Sequence, residues 1–225
     1  MKPLHFIRSL QVTDSFFPVG AFAYSDGLET AAAAGRVRDA VSLSGWMKHF
    51  LENVFVPCEG LALAKCMVAL KESDFDTLRC IDEDLTAIRP CAAVRAASTA
   101  VGKRLLALYS SMADGENAPR KAVTLPRSNM AVAYALVYFH CGIDERDGVL
   151  AFGYNRLTGI VSAALRLISM GQQEGQNLLT KNLNDLPAAV DRILGMKDEP
   201  LRSFNPLLDI EQMNHQYVYS RLFRS

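Results

Sequence analysis

Four histidines (His5, His49, His140 and His215) and five cysteines (Cys58, Cys66, Cys80, Cys91 and Cys141) are the side chains best suited to nucleophilic or metal chemistry. A metal site built from them needs ligands at close spacing, as in CxxC or HExxH, and neither pattern occurs. His140-Cys141 is an adjacent pair of soft ligands, but it follows the apolar run Met130–Phe139 and reads as a buried structural pair. An odd number of cysteines with no CxxC spacing suits reduced, buried thiols in the cytosol. There is no GxxxxGK[ST] phosphate loop, no GxGxxG after a strand and no GxSxG elbow. The carboxylates Asp82-Glu83-Asp84 read as a solvated helix face. From these residues the expectation is no catalytic group, no metal site and no cofactor, while an enzyme whose site is assembled from residues distant in sequence stays open.

Composition narrows the classes further. The chain has 225 residues, half of them hydrophobic by type, with 24 basic and 24 acidic side chains and a formal net charge of zero. Half-apolar composition can fill a core, which excludes a disordered tail. A zero balance lacks the basic excess that phosphate backbones demand, so no nucleic acid is expected. The opening Met1-Lys2-Pro3-Leu4-His5 meets charge before any signal-like apolar stretch. Met130–Phe139 is far shorter than the ~20 residues of a membrane span. The expected setting is the cytoplasm, with no membrane. A neutral, apolar chain is also poorly soluble alone, so a partner or a twofold homodimer is expected to cover part of it.

Any functional side chain here must be positioned by helices. Leu43, Trp46, Met47, Phe50, Leu51 and Val54 follow helical spacing, as do Leu157, Ile160, Val161, Ala164, Leu165 and Ile168. Val94, Ala97, Val101, Leu105 and Leu108 form a third stripe, and the neighbouring alanines and Gly102 invite a second helix to close approach. No segment alternates as a strand would. The expected fold is an all-α, single-domain helical bundle of roughly eight to ten helices spanning residues 1–225. Asp26 and Glu29 suggest a capping box, Gly35 a helix stop, Pro57 a break, and Gly171 the end of the Leu157 helix. Lys71–Asp76, Ala113–Lys121 and Gly195–Pro206 read as loops.

Three segments exceed what a bland core requires. Asp14–Glu29 packs Phe16, Phe17, Phe22 and Tyr24 into a stretch broken by Pro18, Gly20 and Gly27, an irregular loop suited either to burial or to a partner. Arg166–Gln176 leads from an amphipathic helix into a glutamine-rich turn, suited to solvent or to a hydrogen-bonding seam. Pro206–Ser225 places Ile210, Met213 and Tyr217 on an apolar edge and Glu211, His215 and Tyr219 on a polar one. Leu222 and Phe223 follow between Arg221 and Arg224, where chains usually fray. Residues from about His215 onward are expected to stay partly mobile until a partner orders them.

These segments together resemble the urease accessory protein F (UreF) family. Phe17-Pro18-Val19-Gly20-Ala21-Phe22-Ala23-Tyr24-Ser25-Asp26-Gly27-Leu28-Glu29 is similar to that family's N-terminal motif, with Ala21 and Asp26 as departures. Ala164-Leu165-Arg166-Leu167 with Gly171–Gln176 resembles a late-helix signature, and Ser220–Ser225 preceded by His215 resembles the family's ending. Arg127-Ser128-Asn129 stands where many members carry a histidine, so no metal ligand is expected there.

The resemblance implies an all-α adaptor, not an enzyme, that dimerises and binds the accessory protein UreD, also called UreH. It then recruits the GTPase UreG on apo-urease for GTP-dependent nickel delivery. Carried onto this chain, it implies partner-binding roles for Pro18, Gly20, Phe22, Ser25 and Glu29 in the first motif. It implies the same for Arg166, Gln172 and Gln176, and, within a tail at about residues 207–225, for His215, Tyr219, Ser220, Arg221, Leu222, Phe223 and Arg224. The alternative is a metallochaperone that carries nickel itself, which needs histidine and cysteine ligands to meet in space.

Overall fold

The computed structural model describes residues 3–112 and 125–224, apart from the side chain of His5. The expected loop Ala113–Lys121 lies outside the described residues. Among those that are described the architecture is all-α, with no strand. The α-helices are α1 (Pro3–Thr13), α2 (Leu28–Ala33), α3 (Ala40–Phe50), α4 (Leu61–Glu72), α5 (Phe75–Ala87) and α6 (Ala92–Met112). They continue as α7 (Met130–His140), α8 (Glu145–Leu167), α9 (Gln172–Leu183), α10 (Leu186–Gly195) and α11 (Pro206–Asn214).

Local chemistry explains most boundaries. Asp39 caps α3 by accepting from Ser42 N at 2.8 Å, Asp74 caps α5 from Thr77 N at 3.0 Å, and Asp144 caps α8 from Asp147 N at 2.8 Å. Gly35 ends α2 in the left-handed region, with the Arg36 amide reaching back to Ala31 O at 2.9 Å.

The core is organised around α7. It packs against α4, α5, α6 and α8, and every residue from Met130 to Tyr138 is buried. A helix apolar on all sides is what such a central position requires. Buried apolar side chains from Val12 to Phe223 form one connected cluster. The close approach expected at Gly102 is real, since a Cβ there would lie 1.9 Å from Ser128 O.

Several expectations are overturned. Pro57 does not break the chain: a π-helical stretch, Leu51–Gly60, joins α3 and α4 into one helix, and its wider turn takes up the proline ring. That helix, Ala40–Glu72, is long and apolar enough to cross a membrane, yet 72% of its apolar window is buried inside the fold. Lys71–Asp76 is a tight turn rather than a loop, made by Ser73 in the left-handed region between α4 and α5. Gly171 does not end the Leu157 helix, because α8 stops at Leu167 and Gly171 begins α9. Asp82 is fully buried, since it accepts the amides of Arg127, Ser128 and Asn129 at 2.8, 2.8 and 2.7 Å. Cys80 is exposed, unlike the other four cysteines.

Candidate functional site: a seam between the aromatic loop, α8 and the C-terminal segment

The site begins at the start of α2. Gly27 (φ +90°) opens that helix, and a Cβ there would meet Gln212, Glu211 and Leu208 of α11 at 3.1 to 3.3 Å. Both the backbone conformation and the close approach call for glycine. The capping box expected of Asp26 and Glu29 does not form. Ser25 Oγ instead accepts from the Glu29 amide at 3.4 Å, Asp26 turns to Arg156, and the Glu29 carboxylate points inward with 3% of the residue exposed.

Three donors converge on that carboxylate. His215 Nε2 lies 2.6 Å from Glu29 Oε2, Leu222 N donates to Oε1 at 2.6 Å, and Phe223 N donates to Oε2 at 3.3 Å. A carboxylate only accepts, so the Nε2 position of His215 carries the proton. Beside it, Arg224 N donates to Ala23 O at 2.8 Å. Phe223 is 5% exposed and lies under Arg166, whose guanidinium carbon sits 4.3 Å from the ring centroid. Arg166 Nη1 also donates to Phe22 O at 3.2 Å, so one side chain clasps loop and tail together. The segment from His215 onward, expected to need a dock, finds one on this chain.

The orientation of α11 is also corrected. Glu211 and His215 face inward, where Arg36 pairs with Glu211 and Glu29 takes His215. Leu207, Ile210, Met213 and Tyr217 face outward and are exposed. Polar groups turn inward here because each meets a polar partner, an ion pair for Glu211 and a hydrogen bond for His215.

Of the sequence-predicted residues, Phe22, Ser25, Glu29, Arg166, His215, Leu222, Phe223 and Arg224 come together at this seam. Phe22, Tyr219, Ser220, Arg221 and Leu222 project outward. Pro18 is exposed and offers its carbonyl to Arg104 Nε at 3.5 Å, while Gly20 (φ +80°) precedes the turn Ala21–Ala23. Gln172 and Gln176 stand exposed on α9.

Beneath the loop lies a charged cluster that sequence reasoning missed. Arg156 Nη2 donates to Asp26 Oδ2 at 2.5 Å and Arg156 Nε to Glu59 Oε2 at 2.8 Å. Arg89 Nη2 donates to Glu59 Oε1 at 2.9 Å, and Arg89 Nη1 to Asn129 Oδ1 at 3.3 Å. Burial works against the Arg156 charge, but the carboxylates of Glu59 and Asp26 outweigh it and hold the guanidinium protonated more firmly than in water. A cavity of about 100 Å³ between the aromatic loop, α6 and α8 has this cluster on its floor. One signal was available: Glu59 is a lone charge in the apolar run Val54–Ala64.

Chemically, the cluster is a set of satisfied ion pairs. Burial pushes the Cys58 thiol up to about 12, so it is protonated at neutral pH. Among the described residues, no three His, Cys, Asp or Glu side chains gather as metal ligands would.

A family model described as UreF matches residues 37–182. The chain belongs to the UreF family. Urease accessory protein UreF of Microcystis aeruginosa is 35% identical over 217 residues, covering 96% of each chain. The Pseudomonas putida protein of the same name is 33% identical over 222 residues, covering 99% of this chain and 98% of its own. That of Methylobacillus flagellatus is 30% identical over 227 residues, covering 100% and 99%. The seam of this UreF-family chain lies partly outside the family-model match, which contains Arg166 but neither Glu29 nor Phe223. The Methylobacillus flagellatus relative, matched over the whole of this chain, spans all three.

Proposed function

We propose that this UreF-family chain is a non-enzymatic adaptor of urease maturation in the cytoplasm. It binds UreD/UreH and recruits the GTPase UreG on apo-urease, so that nickel delivery is coupled to GTP hydrolysis. The observation that carries this reading is the outer surface of the seam, where Phe22, Tyr219 and Leu222 project beside Arg221 and Arg166 over an ordered base. Aromatic and arginine side chains on a rigid base are the usual anchors of protein interfaces. A second surface supports the homodimer. Helix α1 turns Ser9, Val12 and Thr13 inward and leaves Leu4, Phe6, Ile7 and Leu10 at least half exposed.

The experiment is co-purification of UreD/UreH, and then of UreG, with the full chain and with Tyr219→Ala and Leu222→Asp variants. Loss of UreD/UreH or UreG from complexes of folded variants supports the adaptor. Undiminished capture of both partners by both variants overturns the seam as the interface. Stoichiometric nickel binding by the isolated chain would replace this reading with that of a carrier.

A further inference from the structure

Arginines are unevenly divided between those that meet a carboxylate and those that do not. Exposed arginines such as Arg36, Arg79, Arg146 and Arg192 each reach one, and so do the buried Arg89 and Arg156. At the seam the pattern stops. Arg104, Arg166, Arg221 and Arg224 are exposed, and among the described residues none of the four pairs with an acid; beyond the seam only Arg8, Arg95 and Arg127 share that condition. Backbone contacts hold the four in place instead. Arg166 Nη1 donates to Phe22 O at 3.2 Å, Arg104 Nε to Pro18 O at 3.5 Å, and the Arg224 amide to Ala23 O at 2.8 Å. Arg221 precedes Leu222, whose amide Glu29 receives at 2.6 Å. The loop's own acids do not balance these charges. Asp26 is spent on Arg156 and Glu29 is buried, which leaves Asp14 as the loop's exposed carboxylate. The compensating acids of this neutral chain include the exposed Asp76, Glu83 and Asp84 of α5, a helix packed on α4 and α7. The seam is therefore a positive face on a molecule of zero net charge.

We propose that the seam is a carboxylate-receiving surface: the protein that covers it presents Asp and Glu side chains, which supply the pairs that Arg104, Arg166, Arg221 and Arg224 lack. The proposal rests on the adaptor reading of the same surface, to which it adds the chemistry of the partner. A guanidinium carries five N–H donors in a planar fork, and Arg166 commits one of them to Phe22 O, so a carboxylate can still be gripped by the rest. Holding the guanidinium beforehand against the loop and the Phe223 ring lowers the entropy lost when the pair forms. The partner is a protein rather than a phosphate surface because the exposed Phe22, Tyr219 and Leu222 stand among the arginines, and the chain has no basic excess to spend on phosphates. Charges of this kind act chiefly on the rate and choice of encounter, which salt screens, and less on the lifetime of the complex.

The test measures association rates of the full chain with UreD/UreH, and of UreG with the complex so formed, at about 50 and about 500 mM NaCl. Arg104→Glu with Arg221→Glu is expected to slow at least one of these steps by about tenfold or more at low salt, with the difference closing at high salt. Arg104→Lys with Arg221→Lys keeps the charge and is expected to stay within about threefold of the parent. Arg79→Glu with Arg192→Glu makes the same change of net charge outside the seam and is expected to leave both rates parental. Circular dichroism checks that each variant is folded; should the Glu pair fail, Arg104→Gln with Arg221→Gln decides by the same salt criterion. Parental rates in the seam variant overturn the proposal, as does equal slowing in the lysine variant or in the Arg79 and Arg192 control, while capture of the partners leaves the adaptor reading standing. Capture of neither partner by the parent overturns both. Binding of the parent to phosphatidylserine vesicles or to homopolymeric RNA at about 150 mM NaCl, lost in the seam variant, also overturns the proposal, because it assigns the arginines to phosphate.

Discussion

Replacing Arg156 with methionine isolates the electrostatics of the buried cluster. Methionine keeps an unbranched apolar stem, so packing against Phe50, whose ring centroid lies 5.1 Å from the guanidinium carbon, is largely retained. What disappears is the charge that serves Glu59 and Asp26 together, at 2.8 and 2.5 Å. Glu59 is nearly inaccessible and would keep Arg89 alone, at 2.9 Å. Removing one member of a buried ion pair typically costs about 3–5 kcal/mol, chiefly because the orphaned charge stays desolvated. In urea, with a denaturant slope of about 3 kcal/mol/M, the unfolding midpoint should fall by about 1–1.7 M. Adding Glu59→Gln removes the orphaned charge, so the double variant should be more stable than the two single losses predict by about 0.5–3 kcal/mol. The assay is equilibrium unfolding of parent, single and double variants followed by circular dichroism. A loss below about 1 kcal/mol for Arg156→Met, or strict additivity in the double variant, would refute the argument that these pairs are coupled.

Three further outcomes are expected. Gly102→Ala drives a methyl group into Ser128 O, and overpacking of about 1–3 kcal/mol should lower Tm by about 2–12 °C in calorimetry; Gly45→Ala, with open space around it, should raise stability by about 0.4–1 kcal/mol. Of the five thiols, Cys80 alone should react rapidly with a disulfide reagent at pH 8. Burial holds Cys58 near 12 and also raises Cys66 and Cys141, so a second fast thiol in the native protein would contradict this. Ile7→Asp with Leu10→Asp should convert a dimer to monomer in light scattering without unfolding it, and a parent already monomeric across the concentration range would remove the case for α1.

Helical periodicity made the fold class legible, because stripes such as Val94–Leu108 and Leu157–Ile168 report a face repeating at helical spacing whatever lies opposite. Gly102 likewise announced a close approach, since an absent side chain is a local fact. Which face turns inward is not local. On α11 the apolar edge looked like the buried one, yet Glu211 and His215 are inside because Arg36 and Glu29, far away in the chain, receive them. Asp82 in an acidic run looked solvated for the same reason: its three amide partners lie 45 to 47 residues on. Pro57 misled differently, because the wide turn that tolerates it depends on the packing of Phe55 and Gly60 against Ile193 and Phe152. The three unusual segments were visible as composition, whereas the meeting of Glu29, Arg166 and Phe223 at one seam required the third dimension.

The bond between Glu29 and His215 spans 186 residues. At a synthesis rate of about 5–20 residues per second, about 10–40 s separate the making of its two halves. Throughout that interval the nascent chain carries a carboxylate designed for burial with nothing yet made to bury it. The seam is therefore among the last parts of the molecule to assemble. A ribosome paused late in translation would hold a nearly complete helical core whose loop and α8 stand bare of their closing segment.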